Sequence, residues 1–99
     1  MKHIQRKQPR EVIPCTMDFV KALPAGEAIN TLDVKVYDPD EVDVSSSIIS
    51  GTPTKVGTKV SLVVKAGTSG LDYKIEFIIV TTPGAYTLEE EVELQVKET

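Results

Sequence analysis

The sequence has few of the residues from which catalytic and metal sites are built. Its 99 residues include one cysteine, Cys15, one histidine, His3, and no tryptophan. This composition excludes an intrachain disulfide and a Cys/His zinc site, which needs three or four such ligands. A Ser/His/Asp triad would have to use a histidine beside the chain end, where order is poorest. We therefore expect a protein that is not an enzyme and that uses no metal or cofactor.

Long hydrophobic runs are also missing. The longest run from the strongly apolar set is Phe77-Ile78-Ile79-Val80, far short of the ~20 residues that a membrane-spanning helix needs. The basic start of the chain lacks the apolar stretch of a signal peptide. The apolar share of 40%, the charged share of 26% and the net charge of −4 are ordinary for a globular protein of one domain. We expect no membrane insertion.

Charge is unevenly distributed along the chain. The first ten residues hold four basic side chains and no acidic one, and the remaining chain holds 7 basic and 15 acidic residues, a net charge of −8. The basic residues are Lys2, Arg6, Lys7 and Arg10. We interpret residues 1–11 as a flexible arm that contacts a neighbouring protein, or as a solvated terminus, and residues 12–97 as the folded domain. The acidic charge opposes nucleic-acid binding by that domain.

Beyond the arm, apolar residues recur with a period of two, and no window has a helical stripe. Five longer strands, with turns between them, are predicted at Val12–Val20, Thr31–Tyr37, Thr58–Lys65, Asp72–Thr81 and Tyr86–Lys97. A bulge is expected near Asn30, a short strand or crossing segment at Ser45–Gly51, and a link at Thr52–Gly57. This spacing predicts an all-β fold, an antiparallel immunoglobulin-like β-sandwich of six to seven strands.

Tyr73 occupies a distinctive place in this pattern, just after a turn and at the start of the penultimate strand. Either it is the tyrosine of a tyrosine corner, whose hydroxyl bonds to the backbone upstream, or it is an ordinary inward-facing tyrosine. Glu90 also stands out, because its parity in the last strand would direct a carboxylate into the core. Since an unpaired buried carboxylate is very costly, we expect a bulge there or a strand that begins later.

Two sets of outward-facing residues are candidates for partner contacts. Three aliphatic residues have outward parity and form either one contact patch or ordinary scattered surface residues: Val63, Ile78 and Val80. Three acidic residues face outward on the last strand: Glu89, Glu91 and Glu93. They either discourage edge-to-edge aggregation or receive the basic arm of the next subunit in a homo-oligomer, which would add a strand or pair charges.

An acidic loop, with the carboxylates Asp38, Asp40, Glu41 and Asp43, offers oxygen ligands of the kind that calcium prefers. The spacing is not that of an EF-hand, and a solvated acidic turn explains the loop equally well. The loop nevertheless leaves open an alternative function, a β-sandwich module that binds carbohydrate or a cell surface with the help of calcium.

The order of short motifs over residues 15–97 resembles small immunoglobulin-like virion proteins of tailed bacteriophages, of the fibre–tail adaptor or neck–collar type. The motifs are Met17-Asp18-Phe19, Val34-Lys35-Val36, Ile48–Thr52 and Gly70-Leu71-Asp72-Tyr73. The resemblance implies a non-enzymatic adaptor of the virion, assembled in the host cytoplasm in a ring-like set of copies. Such an adaptor links the head–tail connector or tail to collar or fibre proteins. No catalytic residue is carried over, and the arm lies outside the resemblance.

Overall fold

The computed structural model describes residues 3–98, which form two β-sheets around one hydrophobic core. In chain order the elements are β1 (His3–Lys7), β2 (Ile13–Asp18), β3 (Ala28–Tyr37), α1 (Ser45–Ile48), β4 (Ile49–Val56), β5 (Lys59–Val64), β6 (Asp72–Thr82) and β7 (Thr87–Val96). The large sheet has the order β1-β7-β6-β3, and the small sheet has the order β2-β5-β4. The predicted all-β sandwich is confirmed, whereas its immunoglobulin-like subtype stays a prediction. Within residues 3–98, no helix is long and apolar enough to cross a membrane.

The core is built from alternate residues of the facing strands, as the period of two predicts. The large sheet contributes Tyr73, Ile75, Phe77 and Ile79 from β6, and Val92, Leu94 and Val96 from β7. The small sheet contributes Cys15, Met17, Val60, Leu62 and Val64. β-Branched and aromatic side chains suit a pleated surface with one buried face, and their removal from water is the main force that holds the two sheets together.

The predicted bulge near Asn30 is confirmed. Pairing between β3 and β6 shifts between Ile29 and Thr31, so one additional residue stands on the β3 side. Because of this shift, Ile29 is buried although its parity is opposite to that of Val34 and Val36, which are buried further along the same strand.

Tyr73 makes the hydrogen bond that a tyrosine corner requires. Its side chain is buried, and its hydroxyl accepts a hydrogen bond of 3.0 Å from the backbone N–H of Thr68. The bond joins the turn before β6 to the start of that strand.

Three local predictions differ from the structure. The link expected at Thr52–Gly57 lies mostly within β4, whose pairing with β5 is irregular between Ser50 and Thr54. The segment Ser45–Gly51 is divided between the one-turn helix α1 and the start of β4, and the Asp43 carboxylate accepts hydrogen bonds from the N–H and hydroxyl of Ser45. Glu90 lies in an unbroken β7, opposite Phe77, and remains partly exposed, so neither a bulge nor a later strand start is needed.

The expected arm also differs from the structure over its described part. Residues 3–7 form β1, which pairs in parallel with residues 92–96 of β7 in the same chain. The apolar pattern of this segment does not indicate a strand. The segment forms one because the main-chain edge of β7 is open for pairing on this side. Lys2 lies outside the described residues.

Candidate interaction surfaces

The concave parts of the described surface are open and shallow. One depression of about 600 Å³, near the ends of β1 and β7, is lined by charged groups that include Arg6, Glu11, Asp72 and Lys97. Within residues 3–98, no group of three or more His, Cys, Asp or Glu side chains is placed to hold a metal ion. Most residues singled out from the sequence lie on sheet faces and edges.

The outer face of the large sheet is acidic. Glu89, Glu91 and Glu93 lie along β7, and their paired residues on β6 are Ile78, Glu76 and Lys74. Glu76 is thus opposite Glu91, and its carboxylate lies 3.4 Å from the amine of Lys74. The hydrogen bond with Glu76, together with nearby acidic side chains, raises the pKa of Lys74. The structure brings the three predicted glutamates together in one strip, which we call the acidic strip.

Ile78 and Val80 lie on this same face. Ile78 is flanked by Asp33 of β3 and Glu89 of β7, and Val80 by Thr31 and Thr87. Both aliphatic side chains are half-buried. They form a small apolar area inside a polar and acidic surround.

Val63 is not part of that area, so of the two interpretations a single patch of all three residues does not apply. It lies on the outer face of the small sheet, where its pairing partners are Pro14 and Ser50. β5 and β6 are consecutive in the chain but belong to different sheets. Outward parity therefore directs their side chains to opposite sides of the sandwich.

Arg6 connects β1 to the acidic strip through a residue that the sequence analysis did not single out. The Arg6 Nε donates a hydrogen bond of 3.2 Å to the Gln95 Oε1, and the Gln95 Nε2 donates one of 2.6 Å to the Glu93 Oε2. The outward parity of Gln95 on the last strand was the available signal. These bonds lie within a single chain, and the expected contact between the basic arm and the acidic strand of the next subunit stays a prediction.

Lys7 points in the opposite direction and is buried. Its amine donates hydrogen bonds to three backbone carbonyls, those of Gln8 at 2.7 Å, Pro9 at 3.1 Å and Ala66 at 2.5 Å. Burial lowers the pKa of the Lys7 amine, and the charge of Glu11 opposes this effect. In this conformation Lys7 is occupied within its own chain, whereas Arg10 is exposed.

A family model described as podophage GP4 fiber-tail adaptor protein gp77 matches residues 7–95. The chain belongs to this fibre–tail adaptor family. Individually curated proteins give no match. The resemblance to phage adaptors is therefore confirmed, and membership supports a structural adaptor that is a component of the virion and interacts with other virion proteins.

The family match also divides the candidate residues of this fibre–tail adaptor. It includes the acidic strip, Ile78, Val80 and Val63, but it begins at Lys7 and so omits the first four residues of β1. The match therefore does not extend to Arg6.

Two of the four carboxylates of the acidic loop, those of Asp38 and Asp43, accept local hydrogen bonds. The Asp38 Oδ1 accepts from the N–H groups of Asp40 and Val42, both at 2.9 Å. The Asp43 Oδ1 accepts from the N–H and hydroxyl of Ser45, and these bonds lower the pKa of Asp43. The bonds account for the shape of the turn, and the calcium-assisted alternative stays a prediction.

Proposed function

We propose that this chain is a non-enzymatic structural adaptor in the neck or tail region of a bacteriophage. It links the head–tail connector or the tail to collar or fibre proteins, and several copies assemble as a ring in the host cytoplasm. The observation that carries this proposal is the family match over residues 7–95, which extends over most of the folded domain.

The outer face of the large sheet is the contact surface that we favour. The acidic strip would attract a basic surface of the partner, and Ile78 and Val80 supply apolar area that gains from being covered. A rim of charge around a small apolar centre increases specificity and the association rate more than it increases affinity. Affinity then comes from the number of copies, because linked weak contacts in a ring act together.

The remaining candidate residues lie at the sides of this surface. Arg6 and Arg10 are exposed basic groups that can meet an acidic neighbour, and we extend this role to Lys2 on charge alone. Lys7 supports the contact indirectly, since its three carbonyl partners hold the end of β1. Val63 is available to a second partner on the opposite face of the sandwich.

The test uses particles made without this chain, to which the purified protein is added. Incorporation is measured by gel electrophoresis and electron microscopy. The double variant Glu89→Gln/Glu91→Gln removes two charges from the acidic strip. The control Asp40→Asn/Glu98→Gln removes the same number from exposed positions elsewhere.

We expect the wild type and the control to be incorporated, and the strip variant to be incorporated less, most clearly at low salt, where charge attraction is least screened. Equal incorporation of the two variants would contradict the role of the strip. Failure of the wild-type chain to enter the particles would contradict the adaptor function itself.

A further inference from the structure

β1 is anchored differently from every other described strand. The residues with inward parity are His3, Gln5 and Lys7, which pair with Val92, Leu94 and Val96 of β7, and of these three only Lys7 is fully buried. The one aliphatic residue of β1, Ile4, faces outward and is 48% exposed. No β1 residue belongs to the hydrophobic core or its half-buried rim. Since apolar burial is the dominant stabilising contribution, β1 should open more easily than the other strands.

The connection from β1 to β2 is a short turn that is closed on itself. It comprises residues 8–12. The N–H of Glu11 donates to the Gln8 carbonyl at 3.0 Å, and the N–H of Gln8 donates to the Glu11 Oε1 at 2.6 Å. Pro9 favours an extended backbone at the residue before it, which is the geometry of an opened hinge. Short hinge loops of this kind favour the exchange of an identical element between copies.

We propose that β1 is an exchangeable strand, which leaves β7 of its own chain and pairs in the same register with β7 of a second copy. The hydrogen bonds between β1 and the domain are then formed again between chains. They include Arg6 to Gln95, Lys97 N–H to the Lys7 carbonyl, and Lys7 to the Ala66 carbonyl. Because these contacts are unchanged, the balance depends on the hinge and on the concentration of neighbouring copies.

The contacts favour a second copy of this chain, rather than another protein, as the molecule whose β7 edge receives β1. The β7 edge already accepts this particular sequence, with Arg6 set beside Gln95 and Glu93 of the acidic strip. An opened five-residue hinge spans about 17 Å, less than the 23 Å short axis of the domain. Exchange therefore requires the β1–β7 edges of adjacent copies to lie close together. The inference rests on the proposed ring, which would supply that proximity.

The experiment uses cysteine variants of the full chain in solution. Arg6→Cys is placed on one chain and Gln95→Cys on a second chain with a different tag, because these two residues are paired and their side chains are in contact. The control pair is Thr16→Cys and Ser61→Cys on separate chains. These residues are in the same contact across β2 and β5, with 3.1 Å between their hydroxyl oxygens. The native Cys15 is buried, and burial raises its pKa to about 11, so it does not compete.

We expect the mixed Arg6→Cys and Gln95→Cys chains to form a disulfide-linked heterodimer whose yield rises with protein concentration. The control mixture should stay at background, because β2 carries core residues and does not exchange. Equal yields from the two mixtures would overturn the proposal. So would failure of a single Arg6→Cys/Gln95→Cys chain to form its internal bridge, since the register would then be wrong. The measurement needs no phage particle, so its failure is distinct from failure of the adaptor function.

Discussion

The hydrogen bond between Tyr73 and Thr68 offers a sharp test of how the turn before β6 is held. Tyr73→Phe keeps the buried ring and removes only the hydroxyl that accepts the Thr68 N–H at 3.0 Å. A hydrogen bond of this kind contributes about 0.5–1.5 kcal/mol net. Thr68 is exposed but the bond itself is partly buried, so we expect a cost within that range. For a domain of this size, about 1 kcal/mol lowers the Tm by roughly 4–8 °C.

The assay is thermal and urea unfolding followed by circular dichroism, since the chain has no tryptophan. Tyr86→Phe is the matched control, because Tyr86 is 53% exposed and its hydroxyl has no hydrogen-bond partner among residues 3–98. Its Tm should hardly change. Amide exchange at Thr68 should become faster in Tyr73→Phe only. If both variants lost the same stability, or if Thr68 kept its protection, the bond would not be what holds this turn.

Two further predictions concern a close approach and a carboxylate. Gly67 has a φ of +94°, and a Cβ there would come within 2.8 Å of the Val96 Cγ2, whereas Gly26 has a φ of +80° with open space around it. Both alanine variants should lose about 1–2 kcal/mol through backbone strain, and Gly67→Ala should lose clearly more in urea unfolding; equal losses would contradict the clash. The pKa of Asp18 is lowered by hydrogen bonds, first that from the Thr58 hydroxyl at 2.8 Å, so Thr58→Val should raise it toward 3.8 in an NMR titration. Because the pKa of Asp18 is lower in the folded wild type than in the unfolded chain, the wild type should be more stable than the variant at pH values above 3.8. It should lose this advantage as the pH falls through the folded-state pKa. An unchanged titration would refute the role of the hydroxyl.

The core faces of the strands could be predicted from the sequence because the side-chain period of a strand is two. A slip of one residue in β6 would turn Phe77 and Ile79 to the surface, so the pattern determines both the register and the buried face. The same reasoning predicted the bulge that lets Ile29 face inward. These are local properties of a strand with one buried side.

The strands with which each strand pairs could not be predicted from the side-chain period. Parity indicates that Val63 and Ile78 both face outward, but it does not indicate that their strands belong to different sheets. That separation is determined by how whole strands pair. The candidate site was therefore predicted only in part, with the acidic strip assembled on one face and the aliphatic patch divided between two.

One physical cause explains both why β1 was not predicted from the sequence and why it can be transferred to a second copy. Its apolar residue Ile4 faces outward and its inward residues are polar, so no alternating pattern indicated a strand near the chain start. For the same reason, it is held by main-chain bonds and by polar groups such as Lys7 rather than by apolar burial. Main-chain bonds are nearly independent of side-chain identity and can be formed with any copy that offers the same edge. A segment that hydrophobic periodicity misses is thus also the segment that is easiest to transfer, and in this adaptor it carries the basic charge beside the acidic strip.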